Sequence, residues 1–138
     1  MLEIGDPGVK SITKEEAKKI TREAAELGLV HMTDNNAEDS HILCACCECC
    51  CGNLAGLIRF RDNPRAIARA NYVSSINEDL CAACGTCVER CKFDAINVED
   101  YAHVDSDKCV GCGLCAVTCP EEAITIKWYE REIIPGVE

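Results

Sequence analysis

The chain has 138 residues, of which only 4% are aromatic and 14 are cysteine. Large aromatic anchors for a core are therefore scarce, and disulfides or bound metal must help to hold the fold. The net charge of -10 argues against nucleic-acid binding, which needs a basic face, and suits either plain solubility or docking onto a basic patch of a protein partner.

The N-terminal stretch carries no recognisable export signal. It reads "MLEIGDPGVKSITKEEAKKI" and is polar and acidic where a signal peptide requires an apolar region. No run approaches the ~18 apolar residues that a membrane-spanning helix needs. We therefore expect a cytoplasmic protein without a membrane span. Thiols stay reduced in that compartment, so the cysteine clusters predict metal binding rather than disulfides.

The first predicted element is an amphipathic helix over residues 13–28. Thr13 and Glu16 have the spacing of a capping box, and Gly28 fits the position just after a helix end. Apolar residues three to five positions apart form a stripe that we expect to pack against the rest of the chain. The stripe consists of Ile12, Ala17, Ile20, Ala24 and Leu27.

A polar loop at residues 33–40 leads into "HILCACCECCCGN", residues 41–53, which has six cysteines within eight positions. We call residues 41–53 the six-cysteine segment. Short helices are predicted next at 53–60 and 64–70, separated by a proline that breaks the helical pattern. "NYVSSI" at residues 71–76 then has the composition of a strand.

Residues 81–126 contain an internal repeat with a shift of 28 positions. The shift superposes Gly85 on Gly113, and "AINV" (95–98) on "AITI" (123–126). Each copy also has the cysteine spacing C-x2-C-x2-C-x3-C, given by Cys81, Cys84, Cys87 and Cys91 in the first copy and by Cys109, Cys112, Cys115 and Cys119 in the second. Two like units of loop, short helix and strand predict a doubled domain with a pseudo-two-fold axis.

This cysteine spacing is typical of [4Fe–4S] sites in bacterial ferredoxins, and Pro120 follows the second copy as it does in that motif. Thiolates at i, i+3 and i+6 let a tight loop wrap three corners of an iron–sulfur cube. The fourth cysteine lies on the short helix and faces away, so it serves the other cluster. One zinc ion per motif is the alternative, but zinc sites usually show two separated C-x2-C pairs.

Residues 72–128 thus resemble a bacterial-type two-[4Fe–4S] ferredoxin domain. The resemblance implies an α+β, ferredoxin-like fold with two small antiparallel strand pairs and two short helices. It also implies two groups of cluster ligands, which we name cysteine sets. The first cysteine set is Cys81, Cys84, Cys87 and Cys119, and the second cysteine set is Cys91, Cys109, Cys112 and Cys115.

The chain departs from the ferredoxin pattern at Lys92, which stands where proline would follow the first motif. Two interpretations are open. Lys92 either places a backbone donor and a positive charge beside a cluster, which would stabilise the reduced state, or it faces solvent.

The six-cysteine segment resembles the cysteine run that precedes the paired motifs in anaerobe-type 4Fe–4S dicluster proteins. "ELGLVH" (26–31) and "CACCECCCG" (44–52) match that layout, so the resemblance covers the chain from about residue 11. Because such relatives often carry additional N-terminal sequence, the chain is either a short form or a fragment of a longer protein.

The six-cysteine segment offers three corners of a further cube, since Cys44, Cys47 and Cys50 repeat the C-x2-C-x2-C spacing. The other candidate ligands are Cys46, Cys49, Cys51 and His41. Three interpretations compete: a third iron–sulfur cluster, either [4Fe–4S] or larger, a structural zinc site, and a dithiol/disulfide redox pair. The first is favoured because the same chain already needs iron–sulfur loading at two sites.

The predicted architecture is a small helical, cysteine-rich lobe at residues 1–71 followed by a two-[4Fe–4S] ferredoxin domain at 72–138. The predicted function is transfer of single electrons between redox protein partners that dock on an acidic surface. The alternative is a reductase, in which the six-cysteine segment holds an unusual cluster that reduces a small substrate. The sequence favours a carrier or an electron-transfer subunit, because no substrate-binding motif is recognisable.

Overall fold

A computed structural model of the chain describes residues 10–34, 40–60 and 67–131. The α-helices in these ranges are α1 (Lys14–Glu26), α2 (Gly52–Ala55), α3 (Thr86–Arg90) and α4 (Leu114–Thr118). The strands are β1 (Val30–Thr33), β2 (Leu43–Cys46), β3 (Tyr72–Ile76), β4 (Ile96–Val98), β5 (Ala102–Val104) and β6 (Ile124–Trp128). They form three antiparallel pairs, which are β1–β2, β3–β6 and β4–β5.

Helix α1 begins and ends where the sequence predicts it. The Thr13 hydroxyl accepts a hydrogen bond from the Glu16 N–H, and the Glu16 carboxylate accepts one from the Thr13 N–H. This reciprocal pair confirms the predicted capping box, which satisfies backbone donors that a helix start leaves free. Gly28 follows the helix with a φ of +86°, as expected just beyond a helix end.

The predicted apolar stripe of α1 is wrong for Ile12, Ile20 and Leu27, whose exposed fractions are 45%, 52% and 77%. The buried residues of the helix are instead Ala24 and Ala25. The small side chains of Ala24 and Ala25 let the last turns of α1 approach the neighbouring elements closely, whereas Ile12 and Ile20 lie before those turns.

The N-terminal lobe is not purely helical, because it contains the strand pair β1–β2. Val30 lies opposite Cys46, and Met32 lies opposite Cys44, so two of the six closely spaced cysteines belong to a strand. The expectation of a helical lobe was wrong because four-residue strands are too short to show a clear period of two.

The later strands agree better with the sequence. Strand β3 confirms the prediction for 71–76, and its Tyr72 lies opposite Trp128 of β6. Strand β5 completes the second of the two strand pairs that the ferredoxin resemblance implies, although its position was not predicted. Its three residues pair with β4, with Val104 opposite Ile96.

The helix predicted at 53–60 is present as α2, which continues into a π-helical turn at Gly56–Phe60. The helix predicted at 64–70 lies partly outside the described residues, and residues 67–70 are not helical. None of the helices within the described ranges is both long enough and apolar enough to cross a membrane.

Two groups of buried residues form the interior. The central core consists of Cys87, Ile96, Ala102, Cys115 and Ile124. The N-terminal core consists of Ala25, Val30, Leu54 and Leu114. Because Leu114 belongs to α4 and the other three members precede residue 60, the N-terminal core attaches the first part of the chain to the repeated part.

Candidate metal centres

Both cysteine loops turn into a helix through a left-handed glycine. Gly85 precedes α3 with a φ of +79°, and Gly113 precedes α4 with a φ of +76°. Ala83 and Gly111, two residues earlier in each loop, also have positive φ values of 51° and 79°. The two copies of the motif therefore share one loop conformation.

The first cysteine set surrounds a cavity of about 20 Å³. Three of its thiols come from the loop and first turn of α3, and Cys119 comes from the end of α4. Cys84 is exposed, whereas Cys87 is buried. The other lining residues are mostly small or apolar, with Thr86 and Glu121 as polar exceptions.

The second cysteine set surrounds another cavity of about 20 Å³. Here Cys91 joins three thiols from the loop and first turn of α4, and the other lining residues include Ser74, Phe93 and Leu114. The structure thus brings four thiols together at each cavity, and in each case the fourth comes from the other copy of the motif.

Hydrogen-bond donors approach the sulfurs of both sets. The Ala102 N–H donates to the Cys81 Sγ over 3.4 Å, and the Ala95 N–H donates to the Cys91 Sγ over the same distance. The Ser74 Oγ lies 3.1 Å from the Cys115 Sγ in a buried position. Donors to sulfur stabilise a thiolate and the negative charge of a cluster.

Burial acts against ionisation of several of these thiols. It raises the pKa of Cys112 to about 11 and also raises the pKa of Cys115, where the hydrogen bond with Ser74 opposes it. Burial is likewise the main cause of the raised pKa of Cys87. A thiol binds metal as the thiolate, so a nearby cation must replace these protons. Such thiols suit a permanent metal group rather than a free nucleophile.

The distances between sulfurs distinguish a site for an iron–sulfur cluster from a site for a single metal ion. With Zn–S bonds of about 2.3 Å, the sulfurs around one tetrahedral zinc lie about 3.8 Å apart. Among the described residues, the one group of three or more potential ligands whose atoms all lie within 4.8 Å of one another is in the six-cysteine segment. In neither cysteine set, therefore, do three of the sulfurs all lie within 4.8 Å of one another.

The thiols of the six-cysteine segment form two groups. In the first, the Cys49 Sγ lies 2.8 Å from the Cys47 Sγ and 3.5 Å from the Cys50 Sγ. In the second, the Cys46 thiol interacts with those of Cys44 and Cys51. The local chain path thus groups the sulfurs differently from the C-x2-C-x2-C spacing, because β2 directs its alternate residues to one side.

The first thiol group contains one readily ionised member. The hydrogen bond with Cys49 lowers the pKa of Cys47 to about 7 and raises the pKa of Cys49 to about 11. In the second group, burial is the main cause that raises the pKa of Cys46 to about 11. His41 is exposed, and its backbone N–H donates to the Asp34 carboxylate over 3.0 Å. It does not belong to the close group of Cys47, Cys49 and Cys50.

Lys92 has a role that neither sequence interpretation anticipated. Its Nζ lies 2.9 Å from the Glu48 Oε1, and each side chain is 33% exposed. Glu48 lies inside the six-cysteine segment, and Lys92 directly follows Cys91 of the second cysteine set. The ion pair therefore joins the two cysteine-rich parts of the chain.

Sequence reasoning also missed Ser74 and Arg131. Ser74 is 5% exposed, and the period of two in "YVSSI" could have placed it on the inner face of β3. Arg131 donates to the carbonyl of Cys109 over 2.6 Å and to that of Ala70 over 2.8 Å. Nothing in its local sequence marks it, since these contacts arise only when the chain end returns to the cysteine loop.

Comparison with known proteins identifies the repeated part. Residues 74–126 match the family model of the 4Fe-4S dicluster domain, and the cysteine run Cys44–Cys51 precedes the match. All eight cysteines of the two sets lie inside the matched span. No curated protein matches the chain. The match indicates iron–sulfur chemistry and electron transfer in this part of the molecule.

Proposed function

Since residues 74–126 match a 4Fe-4S dicluster domain, we propose that the chain passes single electrons through two [4Fe–4S] clusters, one on each cysteine set. A cube of this kind gains or loses one electron, and the protein sets its potential through hydrogen bonds, charge and burial. We also propose that a pseudo-two-fold axis relates the two copies of the cysteine motif, and that a ferredoxin domain at residues 72–138 follows a lobe at residues 1–71 in the sequence. Redox proteins of the cytoplasm would dock on its acidic surface.

The observation that carries this proposal is the grouping of the thiols. Each cavity collects three cysteines from one motif copy and the last cysteine of the other copy. No three sulfurs of either set are drawn together as closely as those around one zinc ion, and backbone N–H groups donate to Cys81 and Cys91; both features favour a cube over a single ion.

We further propose a third iron–sulfur centre in the six-cysteine segment. A single zinc ion would use at most four of its six thiols, whereas a cluster can use more of them. The alternative of zinc is supported by the close spacing of Cys47, Cys49 and Cys50, which suits one ion. Anaerobic metal analysis separates the two: a third cluster gives more than the roughly eight iron atoms of two cubes, and zinc gives one zinc atom beside them.

Pairs of substitutions test the crossed ligand sets. Cys119→Ala combined with Cys81→Ala removes two ligands of the first cysteine set and should cost one cluster, about four iron atoms. Cys119→Ala combined with Cys109→Ala affects both sets and should cost about eight. The second pair is the matched control, because it also removes two cysteines, and both of them belong to one motif copy. A loss of one cluster from the Cys119/Cys109 pair and of two from the Cys119/Cys81 pair would contradict crossed ligation.

Exposure of the six-cysteine segment supports a second candidate function, reduction of a small substrate. Cys49 and Cys50 are exposed, and Cys47 is half-buried, so a metal centre there would be open to solvent. The two cubes would then supply electrons to that centre. Cyanide is a suitable probe: a change in the EPR signal of the segment's centre, with the other two unchanged, is expected only if a small molecule can reach its metal.

A further inference from the structure

The six-cysteine segment shares its core with only one of the two cysteine sets. Cys46 and Cys51 pack against the N-terminal core, and so do Cys112 and Phe93 from the repeated part. Cys112 belongs to the second cysteine set, and Phe93 lines the second cavity. Leu114, a member of the N-terminal core, lines that cavity as well.

The first cysteine set lacks any such connection within the described ranges. The residues that line its cavity all lie between Cys81 and Ile124, and none of them belongs to the N-terminal core or packs against it. The first set instead meets the second in the central core, where Cys87 and Cys115 are both buried. The second cysteine set therefore shares a core with each of the other two cysteine groups, which share none with each other among the described residues.

An ion pair also joins the six-cysteine segment to the part of the chain that carries the second cysteine set. The Lys92 ammonium, next to Cys91, pairs with Glu48, which stands between Cys47 and Cys49 in the six-cysteine segment. The side chains are only one-third exposed, so the pair is less screened than one in open solvent. Together with the shared apolar core, it holds the six-cysteine segment against the part of the chain that carries the second cysteine set.

We propose that electrons pass between the six-cysteine segment and the first cysteine set only by way of the centre on the second cysteine set. The inference rests on the proposed function, because it requires a redox-active metal centre in the segment. In each step one electron leaves one centre, which is oxidised, and reduces its neighbour, with no bond made or broken. Electron transfer through protein slows steeply with distance, so transfer is fastest between groups that share a core, and only the second set shares one with both of the others among the described residues.

The test uses the full chain, loaded anaerobically with iron and sulfide and reduced with dithionite. The substitutions Cys47→Ser, Cys49→Ser and Cys50→Ser, made together, remove the segment's centre. A neighbouring paramagnet speeds the relaxation of an EPR signal, so its loss should lower the half-saturation power of one cube signal several-fold. We expect this change in the signal of the second set, with the signal of the first set unchanged.

Two independent labels identify the signals. Removal of one cube by Cys81→Ala with Cys119→Ala leaves only the second set's signal, and removal of the other by Cys91→Ala with Cys109→Ala leaves only the first set's. If those chains load poorly, Ser74→Ala labels the second set in the complete protein, because the Ser74 hydroxyl is hydrogen-bonded with that set's Cys115 and lines the second cavity. The signal whose potential it shifts should be the one that relaxes more slowly in the triple variant.

Iron content separates failure of this inference from failure of the proposed function. Equal iron in the native and triple-variant proteins would overturn this inference together with the proposed third centre, while two cube signals in both proteins would leave electron transfer through the two cysteine sets standing. A fall in iron accompanied by slower relaxation of the first set's signal, of both signals or of neither would overturn the linear order alone. Lys108→Met is the matched charge control, since its ion pair with Asp105 lies beside Cys109 and within its own turn. It should leave the relaxation unchanged, whereas Lys92→Met should alter that of the second set.

Discussion

Replacement of Gly111 by alanine isolates the steric requirement of the second cavity. A Cβ at this position would lie 2.5 Å from the Tyr72 carbonyl oxygen and 3.0 Å from the Cβ of Ala70. The closest of these atoms belongs to the backbone of β3, so it cannot move by a rotamer change. The first copy holds Ala83 at the equivalent place with a φ of +51°, which shows that the loop conformation itself accepts a side chain.

Gly113→Ala is the matched control, because Gly113 lies in the same loop with nearly the same φ. Its Cβ would meet the Ile126 side chain at 3.9 Å, an ordinary contact. Both variants carry the cost of a left-handed alanine, about 1–2 kcal/mol. Gly111→Ala adds forced displacement of packed backbone, which typically costs about 1–3 kcal/mol.

The expected difference between the two variants is therefore about 1–3 kcal/mol, or a melting temperature about 3–15 °C lower for Gly111→Ala in a chain of this size. Anaerobic thermal melts of the metal-loaded proteins, followed by far-UV circular dichroism, measure it. Iron should be lost from Gly111→Ala first, since Cys112 follows the displaced residue. Equal melting temperatures would show that β3 yields freely and that the close approach has no energetic importance.

Two further predictions concern buried side chains. Ser74→Ala removes the hydroxyl beside the Cys115 Sγ, a donor that stabilises the more negative, reduced cluster. One reduction potential should therefore fall by about 40 mV for a bond worth about 1 kcal/mol. An EPR-monitored redox titration in which both potentials are unchanged would contradict this. Leu54→Ala empties part of the N-terminal core, where Leu54 is 2% exposed, and should destabilise the protein by about 2–5 kcal/mol. The control variant Leu43→Ala changes a side chain that is 59% exposed, so it should change the melting temperature little.

The sequence predicted well those features that local spacing determines. The cysteine motifs, the capping box and strand β3 each depend on residues within a few positions of one another. The β1–β2 pair, Ser74 as a sulfur contact and the Glu48–Lys92 ion pair depend on where distant segments meet, and no local pattern encodes that. The exposed Ile20 shows the converse error: periodicity correctly indicates an amphipathic helix, but it does not tell which turns have a partner to cover them.

The 28-residue repeat explains why the N-terminal core meets residues that line the second cavity and none that line the first. Phe93 and Leu114, which meet the N-terminal core, correspond under the shift to Glu121 and Thr86. The two polar residues line the first cavity, where an apolar core would have to desolvate them. The shared loop conformation therefore presents an apolar attachment face at one cavity and a polar face at the other.

Lys92 fits the same difference between the two cavities, because the 28-residue shift makes it correspond to Pro120 in the second copy. A proline at the attachment face would have no charge to offer Glu48, and a lysine at the polar face would meet no residue of the six-cysteine segment among those described. The departure from the ferredoxin pattern thus lies on the side where the additional cysteines attach. If electrons follow the line of centres that we propose, the polar face at the first cavity is the one left for a redox partner, and its Glu121 carboxylate favours a basic surface on that partner.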